Sequence, residues 1–160
     1  MGGRNKTLAS CLLKYQKKFV GMIAKTKGRH HSDPLFAKYG ILKVEDMYRQ
    51  QLRMYAWQFW NGYLPKGQAN MFHRTTERHR YATRSARLGI AIETRDQGSI
   101  RYRLPKEWSL TPEELKRGKS ITVLKRCSKR QLINQYEAFK CREASCLVCG
   151  DGLPGTSHRG

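Results

Sequence analysis

Three cysteines and a histidine near the end of the chain, Cys141, Cys146, Cys149 and His158, are the residues best suited to hold a metal ion. Thiolate and imidazole are the usual tetrahedral zinc ligands, and the gap between Cys146 and Cys149 forms a chelate turn. The same C-x4-C-x2-C spacing serves iron–sulfur clusters, which require a further cysteine downstream, and none follows here. The spacer 150–157 does not match a zinc-finger spacing. The tail therefore reads either as a structural zinc site or as free thiols, and no other cofactor is expected. His30 and His31 are adjacent, and neighbouring residues seldom face one ion together; they read as loop histidines.

A second set of residues suits phosphate. Residues 73–87 read HRTTERHRYATRSAR, with Arg74, Arg78, Arg80, Arg84 and Arg87 around one tyrosine, Tyr81, and one acid, Glu77. Guanidinium groups pair with phosphate oxygens and an interleaved ring stacks on a base, which is the chemistry of nucleic-acid binding. No apolar periodicity organises the segment, so it reads as an irregular basic loop, phosphate-binding or merely solvated. Arg101, Arg103 and Trp108 offer the same combination further on. Lys14, Lys17, Lys18 and Lys25 give the first helix a cationic side, either solvated or turned to phosphate.

Catalysis finds little among the carboxylates. A two-metal polymerase or nuclease site needs clustered acids. The 12 acids here are scattered, and Glu45-Asp46 and Glu113-Glu114 fall where helix starts favour negative charge. Neither a G-x-x-x-x-G-K-S/T loop nor a G-x-S-x-G elbow is present. Cys11 and Cys127 fall on apolar helix faces and read as core. The chain is not expected to be an enzyme on its own.

These residues sit in a chain of 160 with 32 Lys and Arg against 12 Asp and Glu, a net charge of 32 − 12 = +20. A small domain needs only roughly 2–8 charges to stay soluble, so the excess points to an acidic partner: RNA or DNA first, an anionic membrane second. With 39% hydrophobic residues the chain can bury a modest core. No run approaches the roughly 20 apolar residues of a transmembrane segment. The longest, residues 19–24, is too short for a signal-peptide core. Five cysteines without an export signal argue for a reducing compartment, nuclear or cytoplasmic rather than secreted.

The elements that must carry the cations are mainly helical. Leu8, Cys11, Leu12, Tyr15, Phe19, Met22 and Ile23 repeat at steps of three and four, which predicts a helix over residues 8–24. Ser32 or Asp33 with Pro34 starts a short helix that Gly40 stops. Val44, Met47, Tyr48, Leu52, Tyr55, Ala56 and Phe59 mark a central helix closed by Asn61-Gly62, and Trp57 and Trp60 widen its apolar surface. Residues 89–93 and 99–104 alternate weakly across an Asp96-Gln97-Gly98 turn, which predicts one small β-hairpin ended by Pro105 and Trp108. Thr111-Pro112-Glu113-Glu114 reads as a capping box. Ser120 opens a last helix to about Tyr136, with Ile121, Leu124, Cys127, Leu132 and Tyr136 near one face. The expectation is a small, mainly α domain over 1–139 with one hairpin, followed by a flexible, Cys- and Gly-rich tail over 140–160.

Several motifs, in order, resemble one family. Residues 31–36 (HSDPLF) and 41–48 (ILKVEDMY) are similar to the H-S/T-D-P-L-F and L-K-x-x-D-x-Y stretches of non-LTR (LINE-type) retrotransposon reverse transcriptases, particularly jockey-like elements. Residues 61–65 (NGYLP), His79-x-Tyr81-x-Thr83-Arg84, and residues 99–108 (SIRYRLPKEW) continue the match, which covers roughly 8–137. The resemblance implies the thumb and C-terminal extension behind the polymerase palm, a helical segment that helps to hold template, primer or target. The palm itself, upstream or on a separate chain, has no counterpart here. Met1 directly before the block fits a truncated or exapted copy, so an inactive structural or protein-interaction remnant is the rival expectation. A cationic helix on an anionic membrane is another.

Overall fold

A computed structural model of the chain describes residues 3–26, 31–78, 89–93 and 96–137. Among these the protein is mainly α and divides into two units: Gly3–Val44 with the described residues from Gln131 onward, and Glu45–Arg130.

In the first unit, α1 (Gly3–Ile23) packs on α2 (Asp33–Lys38) and on the end of α8 (Ile121–Glu137). Val20, Leu35, Phe36 and Tyr136 form its core, with the Phe36 and Tyr136 rings edge-on at 6.3 Å. Gln16 ties α1 to the loop before the next helix: its Nε2 donates to the Leu42 carbonyl (2.7 Å) and its Oε1 accepts from the Val44 amide (3.0 Å). Pro34 stands in the first turn of α2, where its missing N–H leaves no bond unmade. The expected side-chain cap is not made there. Ser32 forms no cap bond, and the Asp33 carboxylate is engaged by Lys43 Nζ at 2.7 Å.

Helices α1 and α2 end alike. At α2 the Gly40 amide donates to the Ala37 carbonyl and the Ile41 amide to the Phe36 carbonyl, with Gly40 left-handed at φ 61°. At α1 the same pair of bonds runs from Lys25 to Met22 and from Thr26 to Gly21, but the left-handed residue is a lysine, at φ 53°.

The second unit is built on α3 (Val44–Trp60), followed by the single turns α4 (Lys66–Ala69) and α5 (Thr75–Arg78), then α6 (Ile100–Ser109), the turn α7 (Glu113–Lys116) and the start of α8. Leu52, Ala56, Trp57, Phe72, Ile90, Leu104, Trp108 and Leu124 make one core. Trp57 Nε1 donates to the Gly118 carbonyl at 2.9 Å, so the indole is buried with its polar atom satisfied. Of the apolar positions expected along α3, Met47 and Tyr48 are exposed, while Leu52, Ala56 and Trp57 turn inward.

The expected hairpin is not formed. Residues 100–109 are helical, capped by Ser99, whose Oγ accepts from the Arg101 amide at 3.2 Å. Leu104, Glu107 and Trp108 then fall on one inward face, a pattern that a six-residue alternation cannot distinguish from a strand. Pro105 sits inside this helix rather than ending an element. It has no N–H for the Arg101 carbonyl, and that carbonyl accepts instead from the Glu93 amide at 3.5 Å. Residues 89–93 make one isolated antiparallel bridge, between Ile90 and Arg74.

Other local readings change as well. Thr111 does not cap α7; its hydroxyl donates back to the Glu107 carbonyl (2.9 Å), and Pro112 takes the cap position without a side-chain bond. Cys11 is exposed and Cys127 half-buried, so neither is a core thiol. Periodicity marks a stripe on α1 without saying which way it faces: the side turned into the unit is the smaller one of Ala9, Leu13, Gln16, Val20 and Ala24. The predicted tail and its four metal-ligand candidates, Cys141, Cys146, Cys149 and His158, lie outside the described residues. So do Arg80, Tyr81, Arg84 and Arg87 of the basic loop.

Candidate nucleic-acid interface

The cations expected to bind phosphate divide into those that already have partners and those that do not. Arg74 is largely committed to the fold. Its guanidinium lies 4.8 Å from the centre of the Trp60 ring and donates to the Trp60 carbonyl (3.0 Å), while its amide donates to Glu77 Oε2 (3.0 Å). Glu77 thereby organises the start of a segment read as irregular, and α5 with Arg78 at its end results. Arg101 pairs with Glu93 at 3.3 Å, and Arg103 reaches over the Tyr48 ring at 5.8 Å. These pairs are open to water, and a phosphate can compete for the guanidinium at little cost.

Trp108 is not available to stack on a base. It is 0% exposed, at the centre of the second unit's core, with Lys116 Nζ 5.6 Å from its ring. Burial pushes the Lys116 ammonium below the usual lysine range, while the charge of Glu113 acts in the opposite direction. The ring on the solvent side of α6 is Tyr102, with Lys106 Nζ 5.5 Å from its centre. Lys14, Lys17 and Lys18 are exposed on α1 in the first unit, whereas Arg74, Arg101 and Arg103 belong to the second.

Among the described residues, the densest unpaired charge lies on α8, outside the segments singled out from the sequence. Lys125, Arg126, Lys129 and Arg130 are all exposed on α8, and none meets a carboxylate among the described residues. Positions i, i+1, i+4 and i+5 repeat on one side of a helix with about 6 Å between turns. The residues between these pairs do the packing: Leu124 and Ser128 are buried. The signal was present, since residues 115–136 contain no acid.

What holds this side of α8 outward is a buried charge network. Arg53 of α3, 1% exposed, donates from Nε to Glu107 Oε1 (2.8 Å) and from Nη1 to Ser128 Oγ (3.1 Å). Arg49 Nε donates to Glu107 Oε2 (3.2 Å) and its Nη1 to Asp46 Oδ1 (3.1 Å). Burial by itself would lower Arg49, but the hydrogen bonds and charges of Glu107 and Asp46 outweigh it and hold the guanidinium above its ordinary value. Gln50 Nε2 adds a bond to the Lys125 carbonyl at 2.8 Å. Arg53 thus joins α3 both to α6, through Glu107, and to α8, through Ser128.

Among the described residues no three His, Cys, Asp or Glu side chains gather where they could hold a metal, and no helix is long and apolar enough to cross a membrane. The clefts in the second unit range from about 100 Å³, between Phe72, His73, Ala91, Glu93 and Arg101, to about 510 Å³, between Thr75, Ile90, Ile92, Pro105 and Lys116. Comparison with known proteins returned no match to a family model, a curated protein or a solved structure.

Proposed function

We propose that the chain binds single-stranded nucleic acid as the C-terminal portion of a LINE-type reverse transcriptase, without the catalytic palm. The observation that carries the binding is the α8 row Lys125, Arg126, Lys129 and Arg130, four exposed cations with no acidic partner among the described residues. Each phosphate they neutralise releases a condensed counterion, a gain that no surface salt bridge to the protein itself would match. Tyr102 and Lys106 on α6 add a half-buried ring beside an exposed cation, a combination that favours unstacked bases. From the sequence, Arg78, Arg80, Tyr81, Arg84 and Arg87 of the basic loop are further candidates for phosphate and base.

The family reading rests on the order of the motifs in the sequence. Leu35, Phe36 and Leu42 are buried, Gly62 takes the left-handed conformation that closes α3, and Trp108 is sealed in a core. Motif residues with such roles specify a fold, while the cations around them meet the ligand. On this reading polymerisation falls to a palm outside this segment, which would supply the clustered carboxylates for divalent ions.

Lysine acetylation footprinting tests the interface. A single-stranded RNA 20-mer should shield Lys125 and Lys129 from reagent while leaving Lys66 on α4 as reactive as before. Equal shielding at all three, or at none, would overturn the assignment.

A further inference from the structure

A different surface carries a second role, independent of nucleic-acid binding. Leu8, Leu12, Tyr15, Phe19 and Met22 of α1 are between 47% (Leu12) and 63% (Leu8, Tyr15, Met22) exposed. Their steps of four, three, four and three are those of a coiled-coil seam, and they form a strip about 21 Å long. In heptad terms Leu12 and Phe19 stand at a, and Leu8, Tyr15 and Met22 at d. The e flank is closed over its first two positions, because Gln16 bonds within its own unit and Ala9 is half-buried, while Ile23 at the next is 58% exposed and lengthens the apolar strip. The g flank is open, with Lys18 exposed on it and Lys25, also exposed, just past the end of the helix.

We infer that this seam docks an amphipathic helix of a partner protein whose apolar stripe is edged by Asp or Glu. Charge decides the occupant. Residues 1–31 contain no acid, so a second copy of α1 laid in the seam would bring lysine towards lysine, between chains that each carry +20. An acidic edge instead pairs with Lys18 and Lys25. A membrane fits less well, because a helix lying in the interface brings cations to both edges of its apolar face, and here one edge carries Ala9, Gln16 and Ile23 and no cation.

The test uses the full chain and synthetic 21-residue helices with leucine at a and d. One carries Glu at every e and g position, which also keeps it monomeric; one carries Lys there; a third is the Glu peptide with its apolar order scrambled. The Glu peptide should bind one to one, at least tenfold more tightly than the scrambled peptide, and the Lys peptide should not bind. Tyr15→Asp with Phe19→Asp should weaken binding tenfold or more at an unchanged circular dichroism spectrum, as expected for exposed side chains. Lys18→Glu with Lys25→Glu should reverse the preference towards the Lys peptide. Equal affinity for ordered and scrambled peptides would overturn the proposal. So would sedimentation as a dimer that Phe19→Asp dissolves, or binding to vesicles with 30% phosphatidylserine, lost in Phe19→Asp, without binding to the Glu peptide.

Discussion

Replacing Glu107 by alanine removes the carboxylate of α6 that holds both Arg49 and Arg53 of α3. Its Oε1 lies 2.8 Å from both Nε and Nη2 of Arg53, and its Oε2 lies 3.2 Å from Arg49 Nε. Arg53 is only 1% exposed, so water cannot take the place of the lost partner. Breaking a buried pair from one side costs about 3–5 kcal/mol, because the remaining charge is left in a medium that solvates it poorly. Glu107→Gln retains an acceptor and gives up the charge, and should cost less, about 1–2 kcal/mol. Removing both charges together, as Arg53→Met with Glu107→Leu, should be milder than Glu107→Ala alone, since no orphan remains. Urea unfolding followed by tryptophan fluorescence reads the right unit, because Trp57, Trp60 and Trp108 all lie within Glu45–Arg130. A loss under about 1 kcal/mol for Glu107→Ala, or a double variant worse than the single one, would refute the reasoning.

Other substitutions separate structure from binding. Trp108→Ala should cost about 3–5 kcal/mol in the same unfolding assay, as removal of a sealed core ring does. Tyr102→Ala should leave stability within about 0.5 kcal/mol and weaken single-stranded oligonucleotide binding by about 1–3 kcal/mol, measured by fluorescence anisotropy. Gly62, at φ 75°, closes α3, so Gly62→Ala should destabilise by about 1–2 kcal/mol in urea. Lys25 holds the same conformation at φ 53° without being glycine, and Lys25→Gly should stabilise by up to about 1 kcal/mol, seen as a higher melting temperature.

The elements that the sequence made legible are those with both a period and a punctuation mark. The central helix, read from Val44 and closed by Asn61-Gly62, is observed as Val44–Trp60, and Ser120 does precede the last helix. α6 was misread because Ser99 and Pro105 each have two meanings. A serine before an apolar run can flank a strand or cap a helix, and a proline can end an element or sit within one if its orphaned carbonyl finds another donor. The Arg53–Glu107 pair was invisible, since its partners are 54 residues apart and charges on a helix ordinarily face water. The outward direction of the α1 stripe was equally hidden, because periodicity defines a face but not its neighbour. The α8 cations were readable in principle. Attention went to the loop with the most arginines, although a row at i, i+1, i+4 and i+5 on a helix is better ordered than any loop.

The most direct measurement of the central claim is the salt dependence of binding to a labelled single-stranded RNA 20-mer, between 50 and 400 mM salt. The full chain should bind saturably, with log K falling linearly against log salt. Changing Lys125, Arg126, Lys129 and Arg130 to glutamine removes four contacts worth about 0.7 each, so the slope should flatten by about three units while the helical spectrum is retained. A variant with the parent's affinity and slope, or a parent that shows no saturable binding, would contradict the account.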